Sequence, residues 1–264
     1  MDEDLDAARA LAAQIDDFFD AAAKEYSANY GEAAELVYAT LQRSEGFGAV
    51  EFVDAYIGSG LYPSDRLEVL ANRFTEVRLQ LHYIKFDLGI ANEHYYAPQH
   101  HSSLHSASPR QTLKLMAVDQ SLIGRSRIAW EKLMRAVYFL ETGTDLEPSG
   151  KRSYKAKFFT WVAEQPKWRF LAPYESVVRR HDDKYRNGEY HKGSILRPRI
   201  LGRDTPGGEE FLALSNYMSN CIWPNIVSIV AGGTATQFTD LHMIQGSHEI
   251  DPMYLTSLPD EQAI

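Results

Sequence analysis

An all-α fold is predicted by three features of this 264-residue chain. Apolar residues recur at three- and four-residue steps over long stretches, no stretch alternates apolar and polar residues as a half-buried strand would, and Pro and Gly fall where the periodic stretches begin and end. With 44% hydrophobic and 24% charged residues the composition is that of a globular protein, and the length suffices for one large domain or two closely packed ones.

The first periodic stretch covers residues 4–26, where Leu5, Ala8, Leu11, Ile15, Phe18, Phe19, Ala22 and Tyr26 form a predicted apolar stripe with Asp and Lys opposite. Shorter helices are expected at residues 32–43 and 49–56. Pro63-Ser64-Asp65 then opens a long helix reaching about residue 91, with Leu67, Leu70, Phe74, Val77, Leu81, Ile84 and Leu88 on one face. Residues 92–108 read as an exposed loop. His94, His100, His101 and His105 fall in or near it, and His101 and His105 have the spacing that would put two imidazoles on one helical face. The Ser- and Pro-rich surroundings disfavour that helix, so a solvated loop is expected and no metal.

Helix resumes at Pro109 and runs to about residue 141, with a break predicted at Gly124 and a stop at Gly143. Residues 154–164 and 174–186 follow as helices rich in basic residues. Trp161, Trp168, Phe158, Phe159 and Phe170 interleave there with Lys151, Lys155, Lys157, Lys167 and Arg169. This is either a base-stacking platform or aromatic core with basic residues outside, and the periodicity favours core. Residues 187–208 are broken by Gly and Pro, and a last apolar helix is expected at 209–230, kinked at Pro224. The expected organisation is an N-terminal helical extension over residues 1–108 and a bundle with a C-terminal tail over 109–264.

Charge is distributed unevenly. The chain carries a formal −9, yet residues 151–203 hold 14 Lys/Arg against Glu164, Glu175, Asp182, Asp183 and Glu189, a net +9. An acidic N-terminus and the absence of a long apolar run predict a cytoplasmic protein with no membrane association. Cys221 is the only cysteine, which excludes an internal disulfide and a Cys-based zinc site, and its apolar neighbours suggest packing.

Inside the basic segment stands Arg186-Asn187-Gly188-Glu189-Tyr190-His191, an Arg-Asn pair followed by His after three residues. This string resembles the RNxxxH signature of the HEPN superfamily. The passage Ser126-Arg127-Ile128-Ala129-Trp130-Glu131-Lys132-Leu133-Met134-Arg135-Ala136-Val137-Tyr138-Phe139-Leu140-Glu141 is similar to a core helix of larger bacterial HEPN-like proteins, and the resemblance covers roughly residues 109–232. It implies a HEPN-like up-and-down helical bundle, with residues 1–108 supplying additional N-terminal helices. It further implies a metal-independent endoribonuclease that needs no cofactor and serves as a toxin or defence nuclease, with RNA as substrate and an antitoxin or regulatory partner. It also implies a homodimer in which two motifs face each other. The interface would include helices near 174–186 and 209–230, with Trp223 and Ile226 as apolar anchors.

The residue types suit that chemistry. Neutral imidazole is available near neutral pH to take the proton of an RNA 2′-hydroxyl, which is the role of His191. The permanently charged, forked guanidinium of Arg186 can stabilise charge growing on the phosphate, and Asn187 can orient the phosphate or the imidazole. Lys184 and Lys192 would attract the RNA backbone. Arg179 and Arg180, beside Asp182 and Asp183, are either further RNA contacts or local ion pairs. The simpler alternatives are a solvated basic turn, in which Arg186 pairs with Glu189 or Asp183, and a non-catalytic HEPN-like scaffold that binds nucleic acid or a protein partner.

Overall fold

Helices account for the ordered architecture, and no strand occurs among the described residues. The structure, a computed structural model, describes residues 5–22, 24–25, 47–95, 109–148, 153–183 and 218–235. The helices are α1 (residues 5–22), α2 (Ala49–Ser59), α3 (Leu67–Tyr95), α4 (Pro109–Thr142), α5 (Tyr154–Glu164), α6 (Tyr174–His181) and α7 (Trp223–Val230). The helix expected at 32–43 and the loop at 96–108 lie outside the described residues.

The spine is an antiparallel pair of long helices. On α3, Leu67, Leu70, Phe74, Val77, Leu81 and Ile84 are buried at the predicted spacing, and on α4 the buried set is Val118, Leu122, Ile123, Ala129, Trp130, Leu133, Met134, Ala136, Val137 and Leu140. The direction follows from the polar ties. Asp87 accepts from Ser121 and Arg125, Lys132 reaches Glu76, and the Arg73 guanidinium lies over the Phe139 ring, so rising numbers on α3 meet falling numbers on α4. Gly124 does not interrupt α4, because one glycine costs only about 1 kcal/mol and the flanking Leu122, Ile123 and Ser126 are fully buried. The helix stops at Gly143, whose φ of 68° suits glycine and whose missing Cβ leaves space for the Arg66 guanidinium.

The Asp16 carboxylate joins α1 and α2 to this spine, with Asp20 of α1 also 3.6 Å from Arg78 of α3. Gly48 provides no side chain to cap α2, and Asp16 of α1 does so instead, its two oxygens accepting from the backbone N–H of Ala49 (2.8 Å) and Val50 (2.9 Å). Asp16 also pairs with the buried Arg78 of α3, whose guanidinium lies 4.4 Å from the centroid of Phe19. This inward Asp16 corrects the predicted stripe. Ala12, Asp16 and Phe19 form the inner face, while Leu11 and Phe18, one position back and so about 100° around the helix, are 48% and 65% exposed.

The far end of the chain closes the core against the same helices. Trp223 packs on Phe47 (4.5 Å between centroids), Phe74 (5.2 Å) and Phe52 (6.0 Å), and its Nε1 donates to Glu51 Oε2 at 3.0 Å. Burial of Phe47 against this cluster holds its backbone at φ 72°, a left-handed value that a bulky residue rarely adopts. Trp223 and Ile226, expected as dimer anchors, are 2% and 0% exposed and belong to the core. Pro224 stands in the first turn of α7, which continues directly from the turn before it, and residues 209–217 of the expected longer helix lie outside the described residues. The preceding turn, Met218–Ile222, is widened to π geometry, which accommodates a residue with no N–H to give and a ring that crowds the carbonyl four residues back.

One buried cluster runs from Ala12 to Val230 and draws on both sides of residue 108. Phe158, Phe159 and Trp168 lie within it, while Trp161 and Phe170 pack partly buried against it, so the basic–aromatic segment supplies core rather than an open stacking platform. Among the described residues no helix is long and apolar enough to cross a membrane.

Replacing Asp16 by Ala leaves the buried Arg78 cation with Asp20 alone, at 3.6 Å, and uncaps α2, and should cost about 3 kcal/mol in urea denaturation. A loss below about 1 kcal/mol, the value of an exposed ion pair, would show that Asp16 is not the tie between these helices.

Candidate functional site

The approach to the motif is built where α4, α5 and α6 meet. On α6, Tyr174, Val178 and His181 fall on one face at steps of four and three and are all buried. The helix passes into π geometry at Asp182 and Asp183, and the Asp182 N–H reaches the carbonyls of Arg179 and Val178. The Asp182 side chain is only 9% exposed and lies between cations from two other helices. Lys155 of α5 pairs with Oδ2, and Arg127 of α4 approaches Oδ1 at 3.5 Å.

The network continues outward from there. Arg127 donates to the Tyr154 hydroxyl at 3.3 Å, that hydroxyl donates to Glu131 Oε2 at 2.9 Å, and Glu131 Oε1 pairs with Arg135 at 3.1 Å. Arg127, Trp130, Met134, Tyr154, Lys155, Val178, His181 and Asp182 enclose a cavity of about 10 Å³, close to the minimum for one water. Burial pushes the Tyr154 hydroxyl pKa up. Burial also pulls His181 down from 6.5 to about 4, and the positive charges of Lys155 and Arg127 act in the same direction. His181 is therefore neutral at pH 7, and at 7% exposure it offers no room for an RNA ribose. Its chemistry is internal.

Of the residues named from sequence, Arg179 and Arg180 lie on α6, and the Arg180 side chain is outside the described residues. Arg179 is exposed and pairs with Glu175 one turn back, its Nε at 2.8 Å and its Nη2 at 2.6 Å from Oε1. Lys184, Arg186, Asn187, His191 and Lys192 all lie outside the described residues. Sequence reasoning did not single out Arg127, Tyr154, Lys155, His181 and Asp182 as a cluster. The signal available was the string Arg179-Arg180-His181-Asp182-Asp183, and Arg127 stands inside the passage already noted for its resemblance to a core helix.

Ion pairing redistributes the positive field. Within the described part of the basic segment, Lys155 is matched by Asp182, Lys167 by Glu141 at 2.6 Å and Arg179 by Glu175. In sequence, residues 184–203, which lie outside the described residues, carry Lys184, Arg186, Lys192, Arg197, Arg199 and Arg203 against Glu189 alone.

Two larger grooves lie elsewhere. One of about 700 Å³ between α3, α4 and the turn after α4 has its charges paired internally, as in Arg73–Asp145 at 2.6 Å. The other, of about 520 Å³, is mainly apolar and runs between α1, α2 and α3. Among the described residues no group of His, Cys, Asp and Glu is arranged to hold a metal ion.

No protein-family model matches the chain, and no curated protein or solved structure matches it. The resemblance to the HEPN superfamily thus rests on the Arg186–His191 string and the passage beginning at Ser126.

Linkage predicts the pH response of this junction. Folded His181 titrates near 4 against 6.5 when unfolded, so between those values the unfolded chain binds more protons and acid destabilises the fold. His181 alone should remove about 2 kcal/mol of stability between pH 7 and pH 5. Urea titrations of the wild type and His181→Gln at both pH values isolate that term, and equal losses in the two proteins would show that His181 titrates normally.

Proposed function

We propose that the chain is a metal-independent endoribonuclease of the HEPN type, with Arg186, Asn187 and His191 as its reacting site. The observation that carries this reading is the charge distribution along the sequence. In a protein of net charge −9, the twenty residues 184–203 that contain the motif hold six Lys/Arg against one Glu, while Lys155, Lys167 and Arg179 upstream are matched by carboxylates. A concentrated positive field of this kind serves a polyanion, since each phosphate neutralised releases counterions.

In the proposed reaction His191 takes the 2′-hydroxyl proton, and the 2′-oxygen attacks the adjacent phosphorus. The bond to the 5′-oxygen breaks and that oxygen leaves protonated, while Arg186 stabilises the charge on the phosphate. The products are a 2′,3′-cyclic phosphate and a 5′-hydroxyl. One Arg and one His do not readily supply base, acid and phosphate stabilisation together, so two chains are proposed to join their motifs across a two-fold cleft. With Trp223 and Ile226 in the core, that contact requires other surface residues. A role in growth arrest or defence, held in check by a partner, is the biological setting this activity suggests.

Purified protein should cut single-stranded or loop RNA in the presence of EDTA and leave those ends, and His191→Ala should abolish cutting while RNA binding persists. Magnesium dependence or 5′-phosphate ends would overturn the mechanism. RNA binding without cutting by the wild-type chain would establish the scaffold alternative. Replacing Lys184 and Lys192 by Ala should flatten the slope of log affinity against log salt by up to about two units. An unchanged slope would place the RNA away from the motif.

A further inference from the structure

We propose that the apolar groove between α1, α2 and α3 docks a basic amphipathic helix of a partner protein, an inference independent of the ribonuclease reading. The first observation is that α1 carries two stripes. Ala12, Asp16 and Phe19 face inward, while Ala8, Leu11, Ile15, Phe18 and Ala22 follow one another at alternating steps of three and four. That alternation is the seam by which one helix packs along another. Inside the protomer it is only partly used. Ala8 and Ile15 pack partly buried against the core, whereas Leu11 and Phe18 keep 48% and 65% of their surface in water.

The second observation is the groove that this seam borders. Leu11 and Ile15 line it from α1, Glu68 and Asn72 line it from α3, and the buried Val53 and Leu67 reach it from beneath. Its two long walls are helices, whose backbone N–H and C=O groups are bonded internally, so an extended peptide finds no ladder to join. Recognition there falls to side chains, and a helix with apolar residues at matching steps presents them in one row.

Charge selects the partner. The charged residues lining the groove are Asp65 and Glu68, and among the described residues neither is held in an ion pair. Over residues 5–25, α1 adds five carboxylates against Arg9 and Lys24, and Arg9 is already bound to Asp54 at 2.8 Å. A second copy of this chain would bring the same acidic helix to the same acidic rim, and like charges there oppose association. An anionic bilayer or a nucleic acid is repelled for the same reason. Lys and Arg beside the apolar row of a docked helix would meet Asp65 and Glu68. The larger groove beside α4 lacks this bias, because its Arg73 and Lys132 are matched by Asp145 and Glu76.

The test selects a displayed library of short helical peptides, randomised at every position, on the full chain, and then measures the enriched peptides against variants. Enriched sequences should carry apolar residues at steps of three and four, flanked by Lys or Arg. Leu11→Asp should weaken their binding by roughly tenfold or more. Asp65→Asn/Glu68→Gln should also weaken it and flatten its dependence on salt. All three side chains are exposed, so urea midpoints should match the wild type and separate lost docking from lost folding. Failure to enrich any helix, enrichment of acidic or uncharged helices, or peptides that bind either variant as tightly as wild type would overturn the proposal. A wild-type dimer that Leu11→Asp converts to a monomer in sedimentation would overturn it too, since a second copy would then cover the groove.

Discussion

Everything described in this molecule is docked on the apolar seam between α3 and α4. Leu70, Phe74, Val77, Leu81 and Ile84 meet Leu122, Ile123, Leu133, Met134, Val137 and Leu140 along two antiparallel helices, and these side chains are almost completely removed from water. At about 25 cal/mol per Å² of apolar surface, such burial outweighs the partly exposed polar ties at its edges, each worth at most about 1 kcal/mol. Those ties, Asp87 with Arg125, Glu76 with Lys132 and Arg73 with Asp145, set register more than they add stability.

The seam uses the inner face of α4 and leaves a second face for other work. Arg127, Glu131 and Arg135 follow at four-residue steps on that outer face, where they meet Tyr154 and Asp182 from the helices packed beside them. The same helix therefore builds the core and organises the polar junction that precedes the motif. The cost of that arrangement is a set of half-buried charges that must all be matched. Two cations around one carboxylate match it, and the neighbouring His181 is kept uncharged by burial and by those cations.

Asp16 does for the N-terminal helices what Asp182 does at this junction. Each is a carboxylate from one helix that serves two others, and each stands next to a helix terminus. Asp16 caps α2 and neutralises Arg78, whereas Asp182 binds only side chains. The first arrangement ties α1 to α2 and α3, and the second ties α6 to α4 and α5.

Sequence alone determined the helical class, the positions of α2 to α6 to within a few residues, the inner face of α3 and the stop at Gly143, because these follow from a local period and from the conformational freedom of one residue type. It also located the excess of positive charge and the Arg186–His191 string within it. Only the tertiary structure decided the rest. The rotation of α1 depends on Asp16 finding Arg78, 62 residues away, against which the apolar stripe through Leu11 and Phe18 could not compete. The burial of Trp223 and the pairing of Asp182 with Lys155 and Arg127 arise between residues distant in the chain. A sequence period records which side of a helix is apolar, but a buried charge is placed by its partner, and the partner's position is a property of the assembled fold.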